Sequence, residues 1–271
     1  MTAIASAQRL LAKVLPESAM KSLASLRARL PLHLPQAPPI AVMYVNDGVT
    51  RSFVGINNFY SFLLADEITE AIAELQFFAF DGARVLVHRV PLAHFGAETI
   101  DVEALFARHD IASPYGIVAA QITPRHPRRD AYRELGRVFS QFFVFYEGAG
   151  SVAQVHPLSQ IGAHNAVGEP FESSQLITTA GLIELDVLQY NPSAEARAIE
   201  HRLLDAETRE IVARAPATIR ALGACCTQFR LAELAAVPER LLFSADRLPS
   251  GNSKPMLRRR FASGITTMSH A

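Results

Sequence analysis

The sequence predicts an all-β protein: tandem, duplicated antiparallel β-sandwich domains behind a short helical N-terminal arm. Three observations predict it. From Ile40 onward, short runs rich in Val, Ile, Phe and Tyr recur between turn residues, at the spacing of about 8–12 residues typical of a sandwich or barrel. Asp47-Gly48 and Asp81-Gly82 separate successive runs and are strong hairpin signals. The two halves also repeat one order of pattern elements.

Residues 1–39 form a different kind of segment. Leu10, Leu11, Val14, Leu15, Met20, Leu23, Leu26 and Leu30 recur at helical spacing, with Arg9, Lys13, Lys21, Arg27 and Arg29 between them and Glu17 the sole acid. Residues 3–29 are expected to be mostly helical, with Pro16 separating two short helices. A basic amphipathic arm can pack on its own protein, dock on a partner or lie on a membrane surface. Pro31, Pro35, Pro38 and Pro39 then mark a stiff extended linker.

The first sandwich is placed at 40–156. Its strands are expected in IAVMYV, RSFVGI, FYSFLL, AELQFFAF, RVLVHRV, YGIVAAQI and SQFFVFY, while TIDVEALFARH reads as a helical turn or as a strand with an edge loop. The second sandwich is placed at 157–271, with strands in SSQLIT, LIELDVLQY, ARAIEHRLLD, EIVARAPATI, CCTQFRLAEL, RLLFSADRL and PMLRRRF. The equivalent cores fall within about 40–150 and 175–262, at the usual size of a single domain.

The duplication rests on order. FFAFDGARVLV matches HRLLDAETREIV, each a strand, an Asp-led turn and a returning strand. Gly96 and Gly223 each precede a partly apolar stretch, another strand follows, and then a polar loop. FYEGAGSVAQVH closes the first half on His156, and FASGITTMSH closes the second on His270. Two such sandwiches can bring His156 and His270 together at the domain junction, where pockets tend to form.

Composition narrows the function. Formal net charge is zero, which argues against nucleic-acid binding. No run reaches the roughly 18 apolar residues of a membrane-spanning helix, and the expected location is cytoplasmic. Cys225 and Cys226 are adjacent and read as buried free thiols. His88 and His201 lie in alternating strand patterns and read as structural, whereas His33, His94, His109 and His126 read as solvated loop residues.

His156, His164 and His270 remain. Three neutral imidazoles with an open position suit a divalent transition metal that could activate water. Ser173, Ser174 and Glu172 in one connection, with Asn252, Ser253 and Lys254 in another, offer polar groups for a small ligand. Ser174, Asn252 and Lys254 are the candidate ligand contacts, with Lys254 or Ser174 near the rim of a pocket lined by at least two of the imidazoles. Arg258, Arg259 and Arg260 read as a solvated or edge-protecting run. There is no GxSxG elbow, HExxH or phosphate loop. The leading expectation is therefore a noncatalytic binding or assembly protein, taking a small polar ligand or a protein partner at the domain junction. The alternative is a metal-dependent enzyme using the three histidines. Deleting residues 3–29 is expected to lower solubility or change assembly more than it weakens the β core, as gel filtration and thermal melting of the truncated chain would read.

Overall fold

A computed structural model describes residues 38–63, 69–125, 142–157, 159–162, 172–249 and 253–271. The expected helical arm at 3–29 lies outside these residues. Strands dominate what is described, and they pair antiparallel throughout. In the first half, β4 (Arg84–Leu92), β3 (Ala71–Ala79), β6 (Tyr115–Pro124), β1 (Ile40–Val45) and β9 (Ser159–Gln160) form one sheet in that order. The second sheet runs β5 (Ala97–Asp101), β2 (Thr50–Asn57), β7 (Phe142–Gly148) and β8 (Ser151–Val155).

The second half repeats the pattern. One sheet is β13 (Ile211–Ile219), β12 (Arg197–Asp205), β15 (Arg240–Asp246) and β10 (Ser173–Thr178). The other is β14 (Ala224–Arg230), β11 (Leu182–Tyr190), β16 (Met256–Phe261) and β17 (Thr266–His270). Taken strand by strand, β1–β8 and β10–β17 follow one topology, with β9 an addition to the first sheet. Even irregularities recur. The β3–β4 ladder shifts register at Phe77/Phe78, and the β12–β13 ladder shifts at Leu203/Leu204.

Alternation builds each core. Val54, Ile56, Val144 and Tyr146 point inward from the β2–β7 pair and are buried against Val42, Tyr44, Leu75 and Phe77. Tyr44, Phe77 and Phe106 meet edge to face, with ring centroids 5.1–5.9 Å apart. That geometry suits the ring quadrupoles and adds to simple area burial. The second core gathers Leu185, Val187, Leu203, Phe229, Phe243 and Leu257. No helix among the described residues is long and apolar enough to cross a membrane.

FYSFLL and His94 differ from the sequence expectation, whereas TIDVEALFARH agrees with it. FYSFLL does not pair as a strand: Tyr60–Leu63 is a single helical turn, α1. Asn58 explains it, because its Nδ2 donates to Thr69 O at 2.7 Å and Ala93 O at 2.9 Å. These bonds end the strand by tying it to a neighbouring loop, and tertiary bonds override local β propensity. TIDVEALFARH contains both alternatives, since β5 ends on Asp101 and Asp101 caps a short helix, α2 (Val102–Ala107), by accepting from Ala104 N. His94 is not a solvated loop residue either. Its Nδ1 accepts a bond from Thr69 N at 3.1 Å.

His201 does take the structural role expected of it. It is fully buried, its Nδ1 lies 2.9 Å from Thr227 Oγ1, and its ring packs near Phe243. Its counterpart in the first half is Leu75, a plain core residue. Burial disfavours the charged imidazole and lowers its pKa to about 4. An unfolded histidine titrates near 6.5, so the unfolded chain takes up this proton first as pH falls. Stability is full above pH ~6.5 and declines toward pH ~4, by roughly 3 kcal/mol from this group alone. His201→Leu should flatten that part of the pH dependence, measured by urea unfolding at stepped pH.

Candidate functional site

The described positions singled out in the sequence lie on or beside β8, β10, β16 and β17. His156 follows the end of β8 and is exposed, with its ring 5.3 Å from that of Phe143. His270 ends β17 opposite Met256. Close surroundings, and then the charge of Lys254, lower its pKa. These two histidines are equivalent in the duplication, because Phe143 and Met256 occupy equivalent places on β7 and β16. Ser174 is exposed on β10 opposite Ser244, while its neighbour Ser173 turns inward and donates to Ala271 O at 2.7 Å. Lys254 and His270 thus share one neighbourhood, and His156 sits on Phe143. His164 and Asn252 lie outside the described residues. Among the described residues, no three His, Cys, Asp or Glu side chains gather as a metal-ligand set.

The junction of the halves includes β7 and β8 against β17. Of these strands, β8 ends beside His156 and β17 ends on His270; Ser151 Oγ donates to Thr266 O, and Thr266 N donates to Ala149 O at 2.8 Å. β1 and β6 of the first half contact β11 and β14 of the second. Small and apolar side chains, Ala41, Met43, Ile117 and Ala119, make the first-half surface and are fully buried. Tyr190 spans the contact, its hydroxyl donating to Ala41 O at 3.2 Å. At one end the backbones nearly touch: Ala224 N donates to Phe80 O at 2.9 Å. Gly82 has a φ of +88°, and a Cβ there would lie 2.1 Å from Ala221 O; one on Gly223 would lie 2.7 Å from Phe80 O. Only glycine fits at that approach.

Arg258 closes the other side of the junction. It is 3% exposed and faces away from the second core on a central strand, so the solvated or edge role expected of it is overturned. Nε and Nη2 donate to Asp186 Oδ2 at 2.8 and 2.7 Å. Nη1 donates to Asp47 Oδ2 at 2.5 Å and to Thr50 Oγ1 at 3.2 Å. Asp47 holds this position through its own turn, since Oδ1 accepts from Val49 N and Thr50 N. Asp186 is fully buried, and burial raises its carboxyl above the usual range while Arg258 opposes the shift. Arg260 pairs with Glu184 on the same face. Cys226 lies on this face too. Both thiols are free and half-buried, and burial pushes each up to about 12.

Beside Asp47 the surface opens into a cleft of about 190 Å³ lined by Asn46, Gly48, Val49, Thr50, Arg51, Glu103, Glu147 and Gly148. Its charged groups are the Arg51 guanidinium and two glutamates, with Arg51 paired to Asp101 and Glu103. The same sheet turns an aromatic face outward. Phe53 stands directly opposite Phe145, and Phe143 is two residues along β7. All three are half-buried. Gly55 makes room for one ring, since a Cβ there would meet Phe145 Cε2 at 3.0 Å. Arg51 lies over the Phe53 ring at 5.1 Å, within cation–π range.

No protein-family model matches the chain, and no curated protein matches it in sequence. Solved structures similar to it at a low level include the following three proteins. The exo-chitosanase CsxA of Amycolatopsis orientalis is 10% identical, covering 75% of this chain and 24% of that one, with a TM-score of 0.16. A chain described as a β-galactosidase from Bacteroides fragilis is 10% identical, covering 88% and 34%, with a TM-score of 0.18. A β-glucuronidase of glycoside hydrolase family 2 is 11% identical, covering 86% and 24%, with a TM-score of 0.17. The chain therefore spans only 24–34% of the length of these proteins. Values this low carry no argument about what it does, and the sandwich architecture stands on the strand pairing itself.

The ion cluster makes a specific stability prediction. Arg258→Met leaves Asp186 buried and unpaired, at an expected cost of about 3–5 kcal/mol. Replacing both partners, Asp186→Leu with Arg258→Met, should recover most of that loss, because the desolvation penalty goes with the charges. Equilibrium urea unfolding of the two variants checks the difference.

Proposed function

We propose that this chain is a noncatalytic binding or assembly protein whose contact surface lies on the first sandwich, beside the junction. One observation carries the reading. The outward face of the β14-β11-β16-β17 sheet is buried against the first half, whereas its counterpart on the β5-β2-β7-β8 sheet keeps half-exposed Phe53, Phe143 and Phe145 in outward positions. Aromatic residues are enriched at contact surfaces because they bury large area at low entropic cost. The adjoining cleft adds a cation and two carboxylates suited to a small polar ligand.

Local chemistry weighs against the metal-dependent alternative. A metal held by His156, His164 and His270 needs neutral imidazoles about 2.0–2.1 Å from one ion. Lys254 places a positive charge beside His270, and His156 is engaged by Phe143. Protein purified without a histidine tag should carry no stoichiometric zinc, manganese, iron or nickel by elemental analysis. A stoichiometric metal lost in His156→Ala and His270→Ala would overturn the noncatalytic reading.

A further inference from the structure

The duplication makes each surface of one half comparable with its counterpart in the other, and one pair of surfaces differs in a way that points to a partner. On the outward face of the second half, Asp186 stands opposite Arg258 and Glu184 opposite Arg260. At the equivalent places in the first half, Phe53 stands opposite Phe145 and Arg51 opposite Glu147. The second-half face docks on the first half. The first-half face replaces the central ion pair with an aromatic pair, adds Phe143, and has Val152 68% exposed on its edge strand.

The adjoining loops follow the same rule. Asn191 and Gly223 form the end that meets Phe80 and Gly82. Their counterparts Asn58 and Gly96 make the matching bond, Asn58 N to Gly96 O at 2.8 Å against Asn191 N to Gly223 O at 2.9 Å. That first-half end displays Phe62 and Phe95, 64% and 51% exposed and stacked edge to face. A repeat face left at the end of an array is ordinarily polar. This one is aromatic over both sheet and loops, and an apolar surface of that kind marks an interaction site.

The occupant follows from what the chain itself offers. If repeats stacked head to tail, the next face to receive this one would be the outer face of the β13-β12-β15-β10 sheet. There Ala41, Ala119 and Gln76 are replaced by Ser174, Ser244 and Arg202. Ser244 is bonded to Glu172, and Arg202 is paired with Asp246. The turn equivalent to Phe80–Ala83 runs through Ala206–Arg209 without a glycine, so the close backbone approach at Gly82 has no equivalent. Covering those ion pairs with phenyl rings would strip them of water without return. The aromatic face is better matched to itself: an apolar centre of Phe53, Phe143 and Phe145 with Arg51, Glu147 and Asp101 at its border gives each copy both signs of charge.

Resting on the assembly reading above, we propose that the outward face of the β5-β2-β7-β8 sheet joins two copies of this chain in a two-fold dimer. An isologous contact of this kind closes on itself and leaves no face to propagate. Sedimentation of the full chain at micromolar concentrations should give twice the chain mass. Phe145→Glu should weaken association by at least about 30-fold, the effect of losing an interface hot spot, with an unchanged far-ultraviolet circular dichroism spectrum. Val152→Glu, at an exposed position that folding does not need, provides the second reading if Phe145→Glu fails to fold. A wild-type chain that stays monomeric overturns the proposal, as does a dimer that survives the folded variants. Stoichiometric metal would instead overturn the noncatalytic reading, so the two failures are read separately.

Discussion

A guanidinium removed from water costs several kcal/mol unless its donors are matched and its charge is countered. Arg258 meets that demand by drawing on both halves of the chain: Asp186 from its own sheet, and Asp47 and Thr50 from the β1–β2 turn of the first half. The geometry is therefore coupled. The turn must hold Asp47 in place, which it does through the bonds from Val49 N and Thr50 N. The sheets must also face one another closely, which the small residues Ala41 and Ala119 and the glycines at 82 and 223 permit. A buried ion pair adds little net stability over an apolar substitute, but it penalises any arrangement that separates its members. At this junction it selects one orientation of the two sandwiches.

The repeated topology then lets inward and outward faces be compared position by position. Several inward positions in both halves carry the same kind of residue, as with Val54 and Val187 or Val144 and Leu257, because each core must be filled. Outward positions answer to whatever covers them. In the second half the cover is the first half, and the face carries an ion cluster and Cys226. In the first half it carries phenylalanines. His201 in place of Leu75 is one departure among inward positions, as are Leu185 in place of Ser52 and Arg259 in place of Tyr146. The low pKa of His201 is the consequence of burying a titratable ring beside Phe243 and Thr227.

Most of the strands, the repeat and the fold class were legible because period-two alternation and turn chemistry are local signals. SSQLIT and LIELDVLQY coincide with β10 and β11. The two-residue strand β9 carried no such signal, and FYSFLL carried a misleading one that the Asn58 bonds override. Arg258 shows the deeper limit. Alternation placed it correctly on the face opposite Leu257, but whether that face meets water depends on another sheet more than two hundred residues away in sequence. The histidines show the same limit from the other side. His156 and His270 were recognised as equivalent ends of equivalent strands, yet their surroundings are set by Phe143 in one case and Lys254 in the other. The aromatic pair Phe53–Phe145 could have been found by aligning the repeats and asking which outward positions turn apolar.

That question also bears on where chemistry can reside. Strongly shifted ionisable groups often mark catalytic sites, but structural burial shifts them as well. Among the described residues, the shifts of the two thiols, His201 and two tyrosines trace to packing. Cys225 and Cys226 are raised by the junction, His201 is lowered by the second core, and Tyr44 and Tyr146 are raised within the first. Burial is the first cause of each of these shifts. Arg51, Glu103 and Glu147 around the cleft, and the phenylalanine face next to it, lie on the outward side of the first sandwich. In the contact proposed for that surface, specificity would come from shape, ring contact and surface charge, the means by which one folded surface recognises another.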